Sequence, residues 1–140
     1  MPGSRLPVMF WIFGGYFQAG NNAWWAYGPD NWVEREVVLV QPNHRLGPFG
    51  FTDLGIPEAP GNQVMMMMMM MMIDDSGDDD DDGDQGLRDL VAALEWTNTN
   101  IARFGGDPES VTILGESSGS WAVSYLHFTP YARGGDGRRI

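Results

Sequence analysis

The sequence predicts an α/β fold, a mostly parallel sheet with flanking helices, and three observations carry that expectation. Short apolar runs recur without the alternation of a half-exposed sheet, as in strands covered on both faces. Helical segments lie between or after them, the order of βα units. The last run passes into the last helix through Gly115, Glu116, Ser117, Ser118 and Gly119, a sharp strand-to-helix junction.

Leu6 to Phe13 is the first buried strand, and Gly14 and Gly15 after it make a loop that other groups can approach closely. One Arg before this run gives it the outline of a secretory leader, but the run is short and no small-x-small site follows directly. Asn21 to Asn31 is rich in Trp, Tyr, Gly and Asn, and of two roles for Trp24, Trp25 and Tyr27, lining a binding cleft or packing beneath a long loop, the second is expected. Val37 to Val40 is a second buried strand, stopped by Pro42. Asn43 to Pro60 carries many Gly and Pro turn signals and reads as a loop over the sheet. Gly86 to Ile101 is an amphipathic helix, with Leu87, Leu90, Val91, Leu94 and Ile101 at helical spacing and Gly105 as its C-terminal cap. Val111 to Leu114 is the third strand, and Ser118 to Phe128 the helix that follows.

The segment "VMMMMMMMMIDDSGDDDDDGDQ", Val64 to Gln85, interrupts this order. Eight consecutive Met have no amphipathic period, and the acids after them repel one another and stay solvated. Three readings compete: a cation or basic-protein binder, a surface insertion, and an untranslated segment carried into the reading frame. The acids lack the ligand alternation of an EF-hand loop. The third reading follows from the genetic code. Met is ATG and Asp can be GAT, so one trinucleotide repeat read in two phases gives both runs, and the flanking codons suit splice sites. A retained short intron is the reading taken here. It divides the chain into 1–63, 64–85 and 86–140, the outer parts belonging to one domain.

The net charge of −11 owes much to this segment, which holds eight of the nineteen acids. Outside it eight Arg face eleven acids, a balance of −3. Apart from Arg138 and Arg139 the Arg residues are scattered, so no basic patch suits nucleic acid. There is no cysteine, which excludes disulfides and thiolate metal sites. No apolar run is long enough to cross a bilayer as a helix, and no cofactor or metal is expected. Localisation is not set by these features.

The G-x-S-x-G takes its meaning from the strand before it and the helix after it. A serine hydroxyl is a poor nucleophile unless a base lies in hydrogen-bond reach and donors await the oxyanion. Small residues at both ends of the pentapeptide let strand and helix meet closely and present the Ser above the sheet.

Outside residues 64–85, the stretches "LPVMFWIFGGYFQAG", "YGPDNWVEREVVLVQPNHRLGPFGF", "APGNQ" and "GLRDLVAALEWTNTNIARFGGDPESVTILGESSGSWAVSYL" resemble the type B carboxylesterase and cholinesterase family of α/β hydrolases. The likeness implies a partial α/β-hydrolase fold, truncated at both ends and missing a Cys-bearing motif before the first strand. It implies a small-molecule ester as substrate, Ser117 as acyl-accepting nucleophile, and Glu116 as part of the site's electrostatics. Backbone amides of Gly15, Tyr16 and Ser118 would form the oxyanion hole. Ser118 replaces the usual Ala, Phe13 the usual His or Tyr, His44 the usual Tyr, and Tyr16 a third Gly. Tyr16 is expected to resist the positive φ that the loop requires and to crowd the acyl site.

In this fold the acid and the His follow the Ser in that order. After Ser117 come His127 and then Asp136, the reverse order. His127 lies ten residues on, about 15 Å along one helix, and His44 reads as a structural loop histidine. The base and acid are therefore expected outside the chain, and the 140 residues alone are expected to be inactive. The alternative is a non-catalytic, cholinesterase-like adhesion protein, which Tyr16 favours and the intact Gly115 to Gly119 turn disfavours.

Overall fold

A computed structural model describes residues 5–51 and 85–128. Apart from Gln85, the Met and Asp segment lies outside them, as do the loop beyond Phe51 and the chain after Phe128.

Three parallel strands form the sheet in the order β2-β1-β3: β1 at Leu6–Ile12, β2 at Val38–Val40 and β3 at Gly106–Gly115. The most apolar strand takes the centre, pairing Val8 with Val38 on one side and with Val111 on the other. Val8, Phe10 and Ile12 are fully buried, while Met9 and Trp11 are half-buried on the opposite face. That near-continuous burial explains why the run does not alternate.

The helix read from periodicity forms as Gln85–Asn100, after the short helices α1 (Asp30–Val33) and α2 (Gly47–Phe51), and is α3 here. Its Leu87, Leu90 and Leu94 join Phe10, Ile12, Phe17 and Phe51 in the core, together with Ala122 and Leu126 of α4 (Ser118–Phe128). Each such Leu, Ile or Phe side chain contributes roughly 1.5–3 kcal/mol on burial. Thr97, a polar residue on the apolar face, is accommodated because its hydroxyl donates to the Ala93 carbonyl at 2.7 Å. A 3-10 turn, Ile101–Phe104, ends at Gly105, whose φ of 84° is the left-handed cap expected there. The Gly105 carbonyl then accepts the Leu6 amide at 2.8 Å, tying the helix exit to the start of β1.

Three local expectations need correction. The third strand begins at Gly106, not Val111, because Gly106 pairs with Leu6 before an irregularity that shifts the register to Val8–Val111. Pro108, which has no amide to donate, falls inside that irregular stretch, where a strand tolerates it. The loop starting at Asn43 contains α2, and the Trp-rich stretch contains a 3-10 turn at Trp25–Tyr27 and runs into the start of α1. Finally, Trp24 and Trp25 are not packed beneath a loop: they are 55% and 85% exposed among the described residues.

Candidate functional site

The site grows from the junction of β3 and α4. Ser117 is a non-glycine residue at φ 53°, a left-handed conformation that costs on the order of 1–2 kcal/mol. Hydrogen bonds on both sides hold it there. The Glu116 amide donates to the Ile12 carbonyl at 3.3 Å, and the Gly119 amide to the Glu116 carbonyl at 2.8 Å. The Ser117 carbonyl accepts both the amide and the hydroxyl of Ser120, at 2.9 and 2.6 Å. The turn also demands small neighbours: a side chain at Gly115 would strike the Gly119 backbone, and one at Gly119 the carbonyls of Ile12 and Phe13. Ser117 is exposed, and its hydroxyl makes no hydrogen bond among the described residues.

The loop after β1 lies directly against this turn. A Cβ built on Gly14 would sit 2.9 Å from the Ser117 Cβ and would collide with the Glu116 carboxylate. Gly15 follows at φ 125°, and its carbonyl accepts the amides of Gln18 and Ala19 at 3.0 and 3.1 Å. Tyr16 and Phe17 come next at φ 57° and 58°. Tyr16 therefore takes the positive φ that its Cβ disfavours, and the loop closes around it with its ring 76% exposed. Phe17 anchors the turn from within, its ring 6% exposed and 4.9 Å from Phe51, its carbonyl accepting the Gly47 amide at 2.7 Å. The Phe17 amide donates to the buried Ser118 hydroxyl at 3.3 Å. Among the described residues the amides of Gly15 and Tyr16 donate to no partner, and Ser118 opens α4, where a helix leaves its amides unpaired.

Glu116 is exposed and accepts a hydrogen bond from the Tyr27 hydroxyl at 3.0 Å. Burial, then the bond to Glu116 and its charge, raise the Tyr27 pKa, so the phenol stays a donor at neutral pH. Trp11 and Trp24 contact the Tyr27 ring at 5.4 and 5.1 Å between centroids. Sequence reasoning missed this pair, since 89 residues separate Tyr27 from Glu116 and neither spacing nor composition links them.

Neither histidine is poised to activate Ser117. His44 is 8% exposed, stacked on Phe13 at 4.7 Å, with its Nδ1 buried and unpaired. Burial pushes its pKa down to about 4, against the weaker opposing pull of Asp89, so it is neutral at pH 7. The neighbouring Arg45 grips Asp89 instead: its Nε and a terminal nitrogen donate to the two carboxylate oxygens at 2.8 and 2.7 Å, and its amide adds a third bond. His127 is exposed near the end of α4, the far end from Ser117. Among the described residues no cluster of three His, Cys, Asp or Glu could hold a metal, and no helix is long and apolar enough to cross a membrane.

Comparison with known proteins points in one direction. A model of the carboxylesterase family matches residues 1–72 and 74–140. The para-nitrobenzyl esterase of Bacillus subtilis (strain 168) is 38% identical over 135 residues, covering 95% of this chain and 23% of that enzyme. Venom carboxylesterase-6 of Apis mellifera is also 38% identical, over 92% of this chain and 19% of its own length. Among solved structures, a PNB esterase superposes with a TM-score of 0.74 at 37% identity, over 96% of this chain and 24% of that one. A carboxylesterase of Geobacillus stearothermophilus gives 0.73 at 38% identity, over 93% and 24%. The chain therefore spans about a fifth to a quarter of the length of these relatives.

Proposed function

The chain belongs to the carboxylesterase family, and from that premise we propose that it carries the nucleophile and oxyanion loop of a serine carboxylester hydrolase. The observation that carries the reading is Ser117 itself: an exposed hydroxyl on a left-handed residue between a parallel strand and a helix, with glycine backbone packed against it. Strain of that kind persists only where the surroundings impose it, and it aims one side chain away from the sheet.

In the reaction, Ser117 Oγ bonds to the ester carbonyl carbon as a base takes its proton. The tetrahedral intermediate collapses by breaking the bond to the alkoxy oxygen, which leaves as the protonated alcohol. Water then attacks the acyl-serine, and the carboxylic acid leaves. The amides of Gly15, Tyr16 and Ser118 are the donors for the oxyanion, and Glu116, held by Tyr27, supplies negative charge beside the nucleophile. His44 is stacked on Phe13 and His127 lies far along α4, so neither supplies the base, and in the α/β-hydrolase order that role falls to a histidine that follows the Ser and the acid along the chain. Residues 1–63 and 86–140 make one domain, which residues 64–85 interrupt.

A fluorophosphonate probe tests this on the protein that carries the chain in its natural context. Labelling at Ser117, lost in Ser117→Ala, is the expected result, with hydrolysis of short-chain nitrophenyl esters. The 140-residue chain alone is expected to give essentially no turnover. No labelling of the natural protein would leave a fold without its chemistry and refute the esterase reading.

A further inference from the structure

The Ser118 hydroxyl has a task that the nucleophile turn does not require. Ser118 is 2% exposed, and its Oγ accepts the Phe17 amide at 3.3 Å, a contact between segments 101 residues apart. The segment it holds is the strained one, two consecutive non-glycine residues at φ 57° and 58°. A Cβ crowds the neighbouring carbonyl in that conformation, so neither residue would choose it unaided. Phe17 is also held by its buried ring and by the Gly47 amide on its carbonyl. Tyr16 has no equivalent hold, its ring being 76% exposed. The Phe17 amide, however, belongs to the same peptide plane as the Tyr16 carbonyl. Fixing that amide fixes ψ of Tyr16 and φ of Phe17 together.

We propose that Ser118 is a positioning residue, its side chain latching the Tyr16–Phe17 peptide so that the Gly15 and Tyr16 amides stay aligned beside Ser117. This rests on the reading of those amides as oxyanion donors. Two departures from the resembling family are then one device: a tyrosine where glycine would turn freely, and a hydroxyl where alanine could not hold the turn. A glycine at position 16 would need the latch far less.

The test is amide exchange at single-residue resolution together with steady-state ester hydrolysis, on the natural protein and on Ser118→Ala, Ser118→Cys and Tyr16→Gly. Loss of one such hydrogen bond should speed Phe17 amide exchange about fivefold or more and lower kcat by a similar factor, with KM within about twofold. α3 exchange should not change, and the weakly accepting Cys should fall between Ser and Ala. In the Tyr16→Gly background the same Ser118→Ala change should lower kcat less than about twofold. Unchanged exchange at Phe17, or an equal loss of kcat in both backgrounds, overturns the proposal. If no variant turns over ester, the exchange comparison still decides the latch, and only the esterase reading is lost.

Discussion

Acidification should weaken this fold through one histidine. His44 titrates near 4 in the folded chain against 6.5 when exposed, because burial penalises the imidazolium. Below pH 6.5 the unfolded state therefore binds a proton that the folded state refuses. Above that pH the residue contributes no pH dependence, and the loss grows as pH falls until it is complete below about 4. Its full size is about 3 kcal/mol, of which about 2 kcal/mol has been lost by pH 5. Asp89 is the charged group that acts on His44, and it already lowers this cost through its partial attraction. Its own pKa is depressed, chiefly by the Arg45 bonds acting against burial, so any stability it lends is lost only below the usual carboxylate range. Urea unfolding followed by Trp fluorescence at pH 7.5 and pH 5.0, for the natural protein, His44→Tyr and His44→Phe, isolates the effect. Both variants should lose about 2 kcal/mol less between the two pH values than the natural protein does. An identical loss in all three would mean that His44 is hydrated or paired, and the reasoning would fail.

Two further outcomes follow from the packing. Gly119→Ala forces a methyl onto the Ile12 and Phe13 carbonyls, so it should destabilise by about 1–3 kcal/mol and abolish probe labelling at Ser117 while leaving that serine in place. The Arg45–Asp89 pair is 2.7 Å long but 49% and 27% exposed, so a double-mutant cycle should give a coupling of only about 0.5–1 kcal/mol, reduced in high salt.

The elements legible in the sequence were those whose signal is local. Leu6–Ile12 is a run buried on one face and half-buried at Met9 and Trp11 on the other, Gln85–Asn100 repeats its leucines at helical spacing, and Gly105 is a cap that glycine fills best. Ser117 was legible for a similar reason, since the turn that presents it needs small residues two places to either side. At Tyr16 the sequence shows only the local propensity against positive φ, while the hydrogen bonds that hold the next residue, Phe17, to Gly47 and Ser118 come from segments far along the chain. Tyr27 and Glu116 were not joined at all, for their contact exists only once β1 has brought both ends of the chain together. The aromatic exposure of Trp24 and Trp25 likewise depends on what surrounds them, which no pattern of residues encodes.

The interruption at 64–85 can be argued from the same contacts. α3 docks through its first residues: the Phe51 ring lies against Gly86, and the Arg45 guanidinium donates to the Gln85 carbonyl and side chain at 3.3 and 3.4 Å before reaching Asp89. Phe51 and Gly86 are therefore neighbours in space. Removing residues 64–85 leaves residues 52–63 between them, twelve residues able to reach up to ~40 Å, far more than the gap requires. The deletion also puts Gln63 where Gln85 stood, so the residue before Gly86 is still a glutamine offering the same two acceptors to Arg45. An untranslated insertion should leave such a join seamless, while a functional binding loop has no reason to begin and end at equivalent glutamines. The deleted protein should keep its unfolding midpoint or raise it, and keep slow exchange at Leu87, Leu90 and Leu94. Loss of α3 protection on deletion would show that the segment helps build the domain, and sequencing of the mature transcript would then be expected to retain it.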